Sequence, residues 1–104
     1  MIIFFDRKTG KIEGTIDGRV HDEQHLKMWI GDPSEVDRII IQWKPMKWFD
    51  KEGNEVDENA VDMYAVGYAP DHPQGDIIVG FEKRTASICD YKIDPKTKEI
   101  IKNE

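Results

Sequence analysis

The sequence predicts a small, mainly β domain of the α+β class: an antiparallel sheet or sandwich built from hairpins, with one short helix near residues 22–30. Three observations carry this expectation. Aspartate-led turn sequences recur after Phe5, Phe49 and Ile93. Strand-length runs of Ile, Val and aromatic residues flank them. A single segment, Asp22 to Gly31, combines a cap residue, a stop and helically spaced apolar side chains. At 104 residues the chain is expected to form a single domain, 1–104, that buries about two thirds of its unfolded surface.

The first element is the apolar strand ending at Asp6 in "FFDRKTGKIEG". Arg7, Lys8 and Thr9 turn the chain, the Asp6 carboxylate is placed to accept backbone N–H groups ahead of it, and Gly10 supplies the positive φ of a G1 bulge. Ile12, Thr15 and Ile16 make a short second strand, broken by Gly14 and Gly18. The same turn chemistry returns at Asp50-Lys51-Glu52-Gly53 and at Asp94-Pro95-Lys96-Thr97-Lys98, where Lys98 stands in the position expected for glycine. That last turn is expected to be the more strained one. The similarity is local turn chemistry, too short for a duplicated module.

Between these turns, Leu26, Trp29 and Ile30 give the two-turn helix, and Asp32-Pro33-Ser34-Glu35 reads as a second, one-turn helical start. Arg38 to Trp43 is a β-branched run closed by Pro45, suited to an inner strand, with Trp43 in the core. Met63 to Ala69 is a strand with Tyr64, Val66 and Tyr68 on one face, and Pro70 to Gly75 is a rigid loop. Residues 76–83 and 87–93 read as two further strands, the first with a short helix as its alternative.

Composition excludes several function classes. Fifteen Lys and Arg against 21 Asp and Glu give a net charge of −6, which disfavours direct binding to nucleic acid. One cysteine, Cys89, excludes an internal disulfide framework and suits a reducing compartment. It falls in a predicted strand and reads as a small buried hydrophobe. The apolar opening to Phe5 is too short for a signal-peptide core or a membrane span, so neither secretion by signal peptide nor a membrane partner is expected.

No catalytic, cofactor-binding or metal-binding residues are assigned. His21 and His25 are four apart, as a helical zinc pair requires, but His21 precedes the helix cap and only His72 remains as an imidazole. Ser34 and Ser87 lack a nucleophile-elbow setting, and no glycine-rich phosphate loop is present. A metal-dependent hydrolase built on His21 and His25 is therefore the weakest reading. The acidic stretch Asp50 to Asn59, five acids against one Lys, is a solvated tip or a face for a basic partner. Trp48 and Phe49 beside Lys47, together with Trp29, are the interface candidates, because exposed aromatic residues mark contact sites.

In "FFDRKTGKIEGTIDGR", "HLKMWIGD" and "YKIDPKTKEI" the chain resembles small proteins encoded in bacteriophage genomes, among which such hairpins are frequent in virion and tail-associated β proteins. The resemblance implies a phage or prophage product located in the virion or host cytoplasm, and it carries no site residues across. Lys98 departs from its glycine. The expected function is a non-catalytic structural or assembly protein, working as a homo-oligomer or with other virion proteins. An acidic inhibitor that mimics nucleic acid and blocks a basic host protein is the alternative.

Overall fold

The computed structural model of the protein describes residues 1–18 and 22–103. Its chain runs β1 (Ile2–Asp6), β2 (Ile12–Ile16), α1 (Glu23–Lys27), β3 (Val36–Ile40), β4 (Trp43–Phe49), β5 (Glu55–Val56), β6 (Ala65–Pro70), α2 (Gly75–Lys83), a 3₁₀ turn (Ile88–Asp90), β7 (Tyr91–Ile93) and β8 (Ile100–Lys102). The protein is mainly β, with three small antiparallel sheets ordered β2-β1-β3, β5-β4-β6 and β7-β8.

The two end hairpins are built by the same turn. Asp6 Oδ1 accepts the Lys8 and Thr9 N–H groups at 2.8 Å, and Asp94 Oδ1 accepts those of Lys96 and Thr97 at 2.8 and 3.3 Å. The Gly10 N–H donates to Asp6 O and the Lys98 N–H to Asp94 O, at 2.9 and 2.7 Å. Thr9 and Thr97 each accept from the residue two positions on. Gly10 has φ +77° and Lys98 +60°, so the lysine adopts the left-handed conformation its glycine counterpart adopts without strain. These hydrogen bonds, Thr9 first for Asp6 and Lys96 first for Asp94, hold both carboxyls below their usual 3.8.

The hairpins are also joined. Ile93 N–H donates to Gly10 O at 2.8 Å, and Lys11 faces Lys92 in an antiparallel bridge. A Cβ on Gly10 would lie 1.9 Å from the Ile93 carbonyl oxygen, so glycine is required there for close approach as well as for φ. Behind this seam lies the main core: Ile3, Phe5, Ile12, Ile41, Ile78, Phe81, Ile93 and Ile100, with Met1, drawn from both ends of the chain and from α2. Gln74 fastens the C-terminal hairpin to α2. Its amide accepts the Ile100 N–H at 2.7 Å and donates to the Ile100 carbonyl at 2.6 Å, as a β-strand neighbour would. Ile2, Phe4 and Val36 form a second cluster on the other face of β1.

Several expectations are corrected. Residues 76–83 take the helical alternative, not the strand: Ile78 and Phe81, one turn apart, both enter the core, and this packing overrides the strand preference of the Ile77-Ile78-Val79 run. The helix near 22–30 stops at Lys27 with no buried residue, and Trp29 and Ile30 reach the second cluster from extended chain. Residues 32–35 make a turn that Asp32 caps by accepting from the Ser34 N–H and hydroxyl. The run 38–43 splits at Ile41 and Gln42 into an edge strand and the start of β4, with β1 as the inner strand. Residues 87–90 form the 3₁₀ turn, capped by Ser87, and its Cys89 is exposed.

Sheet β5-β4-β6 stands apart. Of its residues only Pro70 is buried. Trp43 at its base is half-buried against the main core, and Asp71 N–H donates to Gln42 O at 2.7 Å beside it. The molecule measures 50 × 34 × 22 Å. Its radius of gyration is 16.2 Å, against about 13 Å for a compact chain of this length. Beyond Trp43 the sheet is an arm.

Candidate interaction surface

Two faces of the arm follow from its register. Trp43 pairs with Pro70, Pro45 with Tyr68, and Trp48 with both Val66 and Val56; paired residues share a face. That face is apolar along its whole length. It begins in the core at Trp43 and Pro70 and runs off the core's edge, with no second layer against it among the described residues. Tyr68 is half exposed on it, and Trp48 is only partly covered.

A bulge sets this phase. The register slips between Pro45 and Lys47, so Met46 is the extra residue and Trp48, rather than Lys47, joins Trp43 and Pro45. Pro45 is tolerated because this stretch of β4 pairs only with β6. Lys44, Lys47 and Phe49 take the opposite face, where Phe49 Cε2 would lie 3.1 Å from a Cβ on Gly67.

The interface candidates are therefore not brought together as one patch. Trp48 belongs to the open apolar face. Phe49 and Lys47 lie on its reverse. Trp29 is packed elsewhere, edge-on to Phe4 at 5.5 Å and beneath the Arg38 guanidinium at 4.5 Å, with no hydrogen-bond partner for its indole N–H among the described residues. The residues that sequence reasoning leaves out of the surface are Pro45, Val56, Val66 and Tyr68; the alternation of Tyr64, Val66 and Tyr68 is visible in the sequence, but the bulge that aligns Trp48 with Val66 and Tyr68 is not.

The arm's outer end adds exposed apolar side chains within an acidic setting. Val61 is fully exposed, Tyr64 is 68% exposed, and Met63 is partly so. Tyr64 immediately precedes β6; its N–H donates to Phe49 O at 2.7 Å and its ring lies 5.8 Å from Lys51 Nζ. Asp50, Glu52 and Asp62 line the surface beside Val61, Met63 and Tyr64, Glu55, Asp57 and Glu58 lie on the same stretch of chain, and none of the six is in an ion pair among the described residues.

The opposite charge gathers at the seam between the end hairpins. Lys11 and Lys92, directly opposed, have no ion-pair partner among the described residues. Like charges so placed repel each other. A groove of about 440 Å³ beside them is floored by Ile12, Ile88 and Tyr91, and the adjoining groove is edged by Arg7, Lys8 and Lys96, with the one carboxylate of Asp94.

Elsewhere the functional side chains do not converge. His21 lies outside the described residues. His25 Nδ1 sits 3.3 Å from Asp22 on α1, and His72 Nδ1 accepts from Gln74 N–H at 3.1 Å on the loop before α2. Among the described residues no group of three or more His, Cys, Asp or Glu is placed to hold a metal ion, and no helix is long and apolar enough to cross a membrane. No protein-family model, curated protein or solved structure matches the chain.

Proposed function

We propose that this is a small non-catalytic assembly protein whose arm is covered by a second copy of the same chain. The observation that carries the reading is the open apolar face of β5-β4-β6, which continues the core beyond the point where the core's own layers end. A one-layer sheet has no second apolar layer of its own, and shared contact with another chain supplies it. The resemblance of the end hairpins to phage virion proteins supports a role as a component that joins or decorates a phage particle.

Sedimentation of the full chain tests this. Self-association through a contact burying about 1,000 Å² or more is expected. Trp48→Ala should weaken it by about tenfold or more, as loss of a central aromatic does. Tyr64→Ala, at an exposed position outside every core cluster, guards against loss of the fold and should weaken it too. A clean monomer at high concentration, or variants that assemble as the parent does, would refute the reading.

A further inference from the structure

We propose that the contact is head to tail: the acidic end of one copy's arm docks on the lysine-edged seam between the end hairpins of the next. The inference rests on the assembly reading above and specifies its geometry. Arm-to-arm pairing would bring two acidic arm ends together, each with six carboxylates that have no ion pair among the described residues. Like-charge apposition of that kind opposes association. The seam offers the complement. Lys11 and Lys92 repel each other across their bridge and gain from a shared anionic partner.

The two surfaces also match in layout. The arm end carries the outer part of the open face, Trp48 with Val56 and Val66, and the exposed Val61, Met63 and Tyr64, with Asp50, Glu52 and Asp62 beside them. The seam has an apolar floor of Ile12, Ile88 and Tyr91 with lysines around it. An apolar centre ringed by opposite charges is how specific contacts gain both burial and orientation. Because the two surfaces differ, the contact is heterologous and each copy keeps one free arm and one free seam, so assembly proceeds to a ring or a filament.

Charge reversal tests the pairing in the full chain. Lys11→Glu with Lys92→Glu disables the seam; Glu52→Lys with Asp62→Lys disables the arm. All four positions are on the surface, and circular dichroism checks that each double variant folds. Each alone should stay monomeric, its dissociation constant raised about tenfold or more, as loss of close charge pairs does. Mixed in equal amounts they should associate again, since the intact arm of one meets the intact seam of the other and the reversed arm and reversed seam are once more opposite in charge. Association of the parent chain should weaken as salt is raised.

Seam variants that assemble normally, or mixtures that do not regain association, overturn the head-to-tail contact. If Trp48→Ala abolishes assembly while both charge variants leave it intact, the arm's apolar face is still the contact and only its partner surface is wrong. If the parent chain binds a DNA duplex at the seam and never itself, both the inference and the homotypic reading fall.

Discussion

Gly10 and Lys98 hold the same place in the same turn, yet substitutions at them should act in opposite directions. Gly10→Ala incurs the left-handed penalty of about 1–2 kcal/mol and sets a Cβ 1.9 Å from the Ile93 carbonyl, which forces the hairpins apart. A loss of about 2 kcal/mol or more, near 8 °C in Tm, is expected from thermal unfolding. Lys98→Gly relieves the same penalty and gives up only an exposed-side ion pair to Asp37 at 3.5 Å. It should be neutral or stabilising by up to about 1 kcal/mol. At the same scale, Asp6 and Asp94 have carboxyls held below 3.8 by turn hydrogen bonds. A group lowered on folding stabilises above its unfolded value, and that stabilisation is lost as pH falls through the folded one. Asp6→Asn together with Asp94→Asn should therefore flatten the decline in Tm on acidification below about pH 4. An unchanged acid limb would count against the turn carboxylates as its source.

Among the elements, the arm and β1 differ most. β1 is buried from Ile2 through Phe5 and flanked by strands on both sides, whereas the arm is one sheet thick. Local opening follows buried apolar contact, so amide exchange in β4 beyond Lys47, in β5 and in the start of β6 should be far faster than in β1 for the isolated chain. Protection of those amides should rise with protein concentration if a second copy covers them. Uniform protection across β1 and the arm would show that the arm is held by something other than association.

At the scale of the whole molecule, the two ends of the chain stand or fall together. Ile100 is 2% exposed in the same core as Ile3 and Phe5, and its backbone is clamped by Gln74. Ile100→Ala should cost about 2–5 kcal/mol. Gln74→Ala, which strands the Ile100 N–H and C=O in a partly buried site, should cost about 1–3 kcal/mol. Urea unfolding of both should remain a single transition seen alike by circular dichroism and fluorescence. A C-terminal hairpin that melts separately would mean the seam does not bind the ends into one unit.

The sequence by itself determined the turns and the class of fold, because those depend on a few adjacent residues. Asp6 and Gly10 specify their hairpin through side-chain acceptance and positive φ, and Asp94 with Lys98 repeats it even without the glycine. Only the tertiary structure decided the rest. The Ile77-Ile78-Val79 run is helical because Ile78 and Phe81 reach a core that strands distant in sequence complete. The short helix fails to extend past Lys27 because Trp29 packs on Phe4 and Ile30 joins it against the cluster of Ile2, Phe4 and Val36 instead. Trp48 shares a face of the sheet with Tyr68, and Phe49 does not, because a one-residue bulge at Met46 inverts the strand's phase. The seam of Lys11 and Lys92 joins positions 81 residues apart by number, and no local pattern connects them. Alternation and turn chemistry act over a few residues, whereas which faces remain uncovered depends on where every other element has packed.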